Sequence, residues 1–131
     1  MEKYNIEAIN LTNGESSIIT IIEDEHENGN ILLSTIIGNT EYCSCNQSYF
    51  ESFKELKDKL LSSGYGLQCV GAKVNAIQSP MASASDKVYL VELGQQAKGI
   101  LSLYEYSNNE KYPNMKEQNA YFEKWIKSFQ K

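Results

Sequence analysis

The sequence contains no arginine: all 12 of its basic residues are lysines, set against 17 acidic residues, so the formal net charge is −5. Arginine's planar fork is the usual means of reading phosphates and guanine edges, and lysine replaces it only as a point charge. Because neutralising phosphates supplies most of the affinity for nucleic acids, this composition argues against a nucleic-acid-binding protein. The surface is better matched to a basic partner, or to water alone.

Histidine is nearly absent as well. The single one, His26, lies inside the acidic stretch 23–30. A Ser-His-Asp triad, a histidine-paired cysteine nucleophile or a two-histidine metal site would each have to use this one residue. We therefore expect no histidine-based catalysis, no cofactor and no bound metal, and we interpret His26 as an exposed turn residue.

Cysteines are few and odd in number, at positions 43, 45 and 69. The N-terminal residues lack the basic and apolar segments of a secretory signal, so we expect a cytoplasmic protein with reduced thiols. Together with His26 these cysteines do not have the spacing of a zinc site, and free cysteine is among the most buried residue types. All three are therefore expected to be buried. No stretch approaches the roughly 20 apolar residues of a membrane span, so no membrane partner is expected.

The first third of the chain has the pattern of a β-meander. Turn residues separate β-branched runs, which predict strands at residues 3–11, 16–22, 31–37 and 40–45. The second of these strands is apolar on both faces at residues 18–22. Such a strand is expected to be central and covered on both sides, or covered by a partner.

Residues 48–63 predict the first helix. Ser48 and Glu51 have the spacing of a capping box, and Gly64 is suited to end the helix. The apolar residues that recur with helical period are expected to face the core: Tyr49, Phe50, Phe53, Leu56, Leu60 and Leu61. The other side is expected to be wet and to hold a Glu55–Lys59 ion pair; its residues are Lys54, Glu55, Lys57, Asp58 and Lys59.

The second half predicts three more strands and a helix. Residues 67–71 and 87–93 are expected to pair antiparallel at the middle of the sheet, joined by a long loop at 74–86, and residues 100–106 form the last strand. Asn114 and Glu117 predict the start of the second helix. Its apolar stripe is expected to anchor it on the sheet and consists of Met115, Phe122, Trp125, Ile126 and Phe129.

The resulting fold class is α+β. We expect one domain over residues 1–131, with a single mainly antiparallel β-sheet in the order βββ(β)-α-βββ-α and two helices packed on it. No repeat, low-complexity tract or linker divides the chain.

Three short segments then resemble a known family: Gly66-Leu67-Gln68-Cys69-Val70-Gly71, Ser79-Pro80-Met81 and Val88-Tyr89-Leu90-Val91-Glu92-Leu93-Gly94. Together they are similar to immunity proteins of bacterial polymorphic-toxin and contact-dependent growth inhibition systems. The resemblance spans about a quarter of the chain, and Ser79-Pro80-Met81 replaces the family's proline-serine-glycine-methionine run. It implies a small, acidic, cytosolic protein without catalytic residues. Such a protein neutralises a cognate toxin, often a basic nuclease, by covering its active site or substrate-entry surface.

On this hypothesis carboxylates attract the toxin and aromatic side chains supply contact area. The expected partner-binding residues are the acidic hairpin tip and the last strand with its following loop: Glu23, Asp24, Glu25, Glu27, Tyr104, Glu105, Tyr106 and Glu110. Four carboxylates within five positions cannot all face a core, so the tip is expected to be exposed. It could equally serve to prevent aggregation of neighbouring strands. Tyr104 and Tyr106 are expected to share one strand face.

Two alternatives stay open at this stage. A small enzyme could use Glu92 and Glu105 as paired carboxylates in a pocket beneath the 74–86 loop, which requires them to be enclosed. An adaptor could instead add a partner strand to an unpaired sheet edge, with the first strand as the expected edge.

Overall fold

The computed structural model describes residues 1–79 and 84–129, and it confirms an α+β fold with antiparallel strands and two α-helices. The strands divide into two sheets, where a single sheet was expected. In chain order the elements are β1 Glu2–Asn10, β2 Ser16–Glu25, β3 Ile31–Ile37, β4 Thr40–Asn46, α1 Tyr49–Ser62, β5 Tyr65–Leu67, a 3-10 turn at Val70–Ala72, β6 Ala76–Ile77, β7 Lys87–Leu90, β8 Lys98–Ser102 and α2 Met115–Lys127.

The larger sheet has five strands in the order β4-β3-β2-β1-β5, and every neighbouring pair is antiparallel. Each of the three turns that join β1–β4 contains a glycine with positive φ, for example Gly14 at 76° and Gly38 at 62°, a conformation that other residues rarely adopt. The predicted meander is confirmed, and β2 is the central strand of the five-stranded sheet. β2 continues past the predicted end at Ile22, as far as Glu25.

Helix α1 packs on one face of this sheet, which we call the inner face. Ser48 Oγ accepts a hydrogen bond from the Glu51 backbone N–H (3.2 Å), and Gly64, at φ 91°, follows the last turn. The apolar stripe of the helix is therefore core, as predicted. The largest fully buried side chains between α1 and the inner face are Ile21, Leu33, Phe53, Leu56 and Leu60.

The side of α1 that was expected to be wet is covered in part, although Lys59 is exposed as predicted. Lys54 and Lys57 are buried, because α2 and the residues before it cross this side of the helix. Lys54 Nζ donates to Asn119 Oδ1 (3.0 Å), and Lys57 Nζ donates to the Pro113 carbonyl (2.7 Å). Burial lowers the pKa of Lys57, whereas its hydrogen bond to Asp58 opposes that change.

The expected Glu55–Lys59 pair is replaced by two contacts with β4. Glu55 Oε1 accepts from Asn46 Nδ2 (2.8 Å), and Lys59 Nζ donates to the Cys43 carbonyl (2.6 Å). Both side chains thus tie α1 to the edge strand instead of to each other.

The prediction of a central strand pair is wrong. β5 pairs with β1 at the edge of the larger sheet, whereas β7 is the middle strand of a separate sheet, β6-β7-β8. The residues that follow β5 were expected to pair with β7, but they pair with the segment after β8. Gly71 N–H donates to the Leu103 carbonyl (2.8 Å) and Val70 N–H to the Glu105 carbonyl (2.9 Å). Residues of both sheets and α1 nevertheless share one buried cluster.

Helix α2 begins as predicted. Asn114 and Glu117 form a reciprocal capping box, which satisfies backbone N–H groups that have no partner inside the helix. Among the described helix residues, Gln118 alone is buried. Its Nε2 donates to the Gly71 and Lys73 carbonyls (2.9 Å each), so a polar side chain attaches the first half of α2.

The apolar stripe of α2 was expected to anchor this helix on a sheet, but it does not. Phe122, Ile126 and Phe129 are 38%, 40% and 42% exposed. Trp125 packs edge-on against Phe129 and donates from Nε1 to the Gln95 carbonyl (2.8 Å). The second half of the helix thus lies beside the turn between β7 and β8. Its stripe is half-covered because it meets this turn and not a broad sheet.

The loop between β8 and α2 covers the free edge of β5. Asn109 Nδ2 donates to the Leu67 and Cys69 carbonyls (2.9 Å each). Tyr112 lies against Gly66, where any Cβ would overlap its ring. The edges of the five-stranded sheet are therefore β4 and this covered β5, and the expectation that the first strand forms an edge is wrong.

Candidate functional site

The acidic stretch 23–30 forms the end of β2 and the turn into β3. The turn is closed by the His26 N–H, which donates to the Asn30 carbonyl (2.8 Å). Glu25, His26 and Glu27 are exposed, and Asp24 is half-buried. The end of this hairpin is therefore an exposed acidic surface, as predicted, apart from one residue.

That residue is Glu23, which is only 5% exposed. Side chains alternate between the two faces of a strand, so the extension of β2 to Glu25 places Glu23 on the inner face with Ile19 and Ile21. The expectation that Glu23 belongs to the exposed tip is wrong. Its carboxyl cannot touch a docked partner.

Two stacked tyrosines cover the Glu23 carboxyl. Tyr104 Oη donates to Glu23 Oε1 (3.4 Å), and Tyr4 also hydrogen-bonds this carboxyl. The rings of Tyr4 and Tyr104 are parallel, with centroids 3.9 Å apart. Burial raises the pKa of Glu23 from 4.5 to about 7, although the tyrosine hydrogen bonds act in the opposite direction. Burial and the Glu23 charge likewise raise the pKa of Tyr104.

The other expected contact residues follow β8. Tyr104 is buried and Tyr106 is 62% exposed, so the expectation that they share one strand face is wrong. The reason is that β8 ends at Ser102, after which the chain turns into the core. Glu105 and Glu110 are exposed. Six of the eight expected partner-binding residues thus reach the surface, and Glu23 and Tyr104 instead contact each other inside.

The geometry removes the carboxylate-enzyme alternative. Glu92 and Glu105 are both exposed, whereas that alternative required an enclosed pair. A cavity of about 610 Å³ contains neither of them and is lined by residues 73–75, 108–113 and Glu117. Pro80 and Met81, which belong to the family-like loop motif, lie outside the described residues.

Polar side chains in the wall of this cavity hold the 108–113 loop in place. Gln68 Oε1 accepts from the Asn109 N–H (3.0 Å) and from Tyr112 Oη (3.2 Å). Tyr112 Oη also lies 3.0 Å from the Asn109 carbonyl. Asn109 Oδ1 is buried without a partner among the described residues. These contacts are sufficient to hold the 108–113 loop in its observed conformation without a ligand.

The cysteines divide into two classes. Cys69 is fully buried, and burial raises the pKa of its thiol to about 12. Cys43 and Cys45 are free and exposed, so the expectation that all three are buried is wrong for these two. Between them Ser44 points inward and donates to the Ser52 carbonyl (2.6 Å), which turns both thiols to the opposite face. In the described part of the chain, no group of three or more His, Cys, Asp or Glu side chains could hold a metal ion.

Neither helix of the described residues covers the face of the larger sheet opposite α1, and we call the β1–β4 part of this face the open face. Ile18 and Ile36 are 68% and 62% exposed there, so β2 is not covered on both sides. The side chains of the open face, assigned by strand alternation, are Lys3, Asn5, Glu7, Ile9, Ser16, Ile18, Thr20, Ile22, Asp24, Leu32, Ser34, Ile36, Glu41, Cys43 and Cys45.

Charge is segregated along the chain. Residues 1–53 contain nine carboxylates and one lysine, a net charge of −8, whereas residues 54–131 contain eight carboxylates and 11 lysines, a net charge of +3. The first segment builds β1–β4 and hence the whole open face. Strands β1–β4 are therefore strongly acidic, and all but one of the lysines lie in the part of the chain that follows β4.

No family model matches the sequence, and no curated protein is significantly similar to it. In residues 1–79 and 84–129, no helix combines the length and apolarity needed to cross a membrane. The candidate site is therefore inferred from the charge and the apolar residues of the exposed surface.

Proposed function

We propose that this protein is an immunity protein, which binds a cognate toxin domain in the cytoplasm and blocks it stoichiometrically. A basic nuclease is the kind of toxin its charge fits best. The observation that carries this proposal is the formal charge of −8 in residues 1–53, the same segment that exposes Ile18 and Ile36. Opposite potentials speed association, and exposed apolar side chains supply contact area after docking.

The resemblance to immunity proteins supports the same function. Its strand segments, residues 66–71 and 88–94, fall in β5 with the following turn and in β7 with the residues after it. Inhibition by occlusion requires a complementary surface and no catalytic residues. Asp24, Glu25 and Glu27 at the hairpin end, with Glu105, Tyr106 and Glu110, are the expected contact residues that remain accessible.

The test is co-expression with the toxin domain encoded by the neighbouring gene. We expect cells that produce the active toxin to survive only when this protein is present, and the two proteins to elute as a one-to-one complex. A toxin from an unrelated system, expressed at the same level, is the specificity control. Death of the co-expressing cells, or survival without any complex, would reject the proposed function.

A further inference from the structure

We propose that the open face of the five-stranded sheet is the surface on which the basic partner docks, with Ile18 and Ile36 at its centre. This inference rests on the proposed function and names the site of contact. It differs from the sequence-based expectation, which placed the contact at the hairpin tip and at residues 104–110.

The open face has the shape that a docking surface needs. β2 and β3 pair only through residues 22–25 and 31–34, and beyond them a groove of about 300 Å³ lies between the two strands. Ile18, Ile22 and Ile36 line the groove, together with Glu41. Contiguous apolar patches left uncovered on a protein surface mark interaction sites.

The charge around the groove determines the kind of partner. Glu7, Asp24 and Glu41 lie near it, and the acidic hairpin end continues the surface. Lys3 is the one lysine on strands β1–β4, and the Met1 ammonium lies 3.9 Å from Asp24 Oδ1. Two copies of this chain meeting through their open faces would bring like charges together, which is unfavourable. A basic protein with an apolar centre is complementary in both respects.

Another exposed apolar surface, the α2 stripe, fits a basic partner less well. Its exposed residues, Phe122, Ile126 and Phe129, lie in a segment that carries two lysines and one glutamate, a net charge of +1. These cations would repel a basic protein. Charge complementarity therefore favours the open face over α2.

The experiment measures the affinity for a catalytically inactive form of the toxin domain encoded by the neighbouring gene. The variants are Ile18→Lys and Ile36→Lys, which reverse the polarity of exposed positions and leave the core untouched. Ile100→Lys on β8 is the matched control, since Ile100 is also an exposed strand isoleucine (49%) but belongs to the other sheet. Each open-face variant is expected to raise Kd by about 30-fold. The control is expected to change it less than about threefold.

The cysteines provide a second readout that needs no substitution. In the free protein iodoacetamide is expected to label Cys43 and Cys45, which lie on the open face, and to spare buried Cys69. In the complex the first two thiols are expected to be protected. Cys69 serves as the internal control, because its labelling would report unfolding.

The outcomes separate the two proposals. If the wild-type protein forms no complex, the proposed function fails and this inference fails with it. If the complex forms but tolerates both isoleucine variants and leaves Cys43 and Cys45 reactive, only the docking surface is wrong. If the protein alone sediments as a dimer with these thiols protected, the open face belongs to a second copy and the inference is overturned.

Discussion

Glu23→Gln is expected to stabilise this protein at neutral and alkaline pH. In the folded protein, burial raises the pKa of Glu23 from 4.5 to about 7. Between these two values the unfolded chain has lost the proton while the folded chain still holds it, so the stability of the wild-type protein falls as the pH rises. Below that range the carboxyl is neutral in both states and costs nothing. Glutamine cannot ionise, and its Oε1 can still accept the Tyr104 hydrogen bond.

The magnitude follows from the pKa. A rise from 4.5 to about 7 corresponds to roughly 3 kcal/mol of lost folding free energy once the carboxyl is ionised in both states. Because the tyrosine hydroxyls can turn towards the ionised carboxylate, we expect a measured gain of about 1–3 kcal/mol for Glu23→Gln at about pH 8. At about pH 4 the variant and the wild-type protein are expected to be nearly equally stable.

Urea unfolding followed by far-UV circular dichroism at several pH values measures this difference. Glu25→Gln is the control, because Glu25 lies two residues further along β2 and is exposed. Its stability is expected to follow the wild-type pH dependence. If the stability of Glu23→Gln changed with pH in the same way as that of the wild-type protein, the buried carboxyl would not be the source of the pH dependence.

Two further substitutions test how the 108–113 loop is attached. Gly66→Ala is expected to lower the free energy of unfolding by roughly 1–3 kcal/mol, because its Cβ would overlap the Tyr112 ring. A thermal melt measures this loss, and adding Tyr112→Ala should remove most of the part caused by the overlap. Asn109→Ala is expected to cost roughly 2 kcal/mol, because the Leu67 and Cys69 carbonyls lose their donor. The exposed neighbour Asn108→Ala should cost clearly less, and equal losses for the two asparagines would contradict this role.

Local signals in the sequence predicted much of the fold. The meander, α1, the start of α2 and their turns follow from β-branched runs, helical periodicity, capping residues and glycines, all of which act within a few residues. Pairing between distant segments could not be predicted in this way. β5 pairs with β1, and residues 103–107 lie beside residues 68–71. In the second contact Leu103 packs closely against Gly71, which has no side chain in the way. No local pattern specifies that contact.

The candidate site was predicted only in part, for related reasons. The exposed hairpin end could be predicted from its charge density, but the length of β2 decides which carboxylate faces inward. The apolar run at residues 18–22 did carry a signal for the open face, since it was expected to be covered by the protein or by a partner. Burial of Lys54 and Lys57 could not be foreseen, because it depends on where α2 crosses α1.

The position of Trp125 has a practical consequence for spectroscopy. It is the only tryptophan in the chain, and its indole N–H bonds to the Gln95 carbonyl at the seam between α2 and the β7–β8 turn. Tryptophan fluorescence, excited at a wavelength where tyrosine does not absorb, therefore reports whether the C-terminal helix is docked, not whether the sheet is folded. A fluorescence transition that precedes the circular dichroism transition would mean detachment of this helix from an otherwise intact molecule.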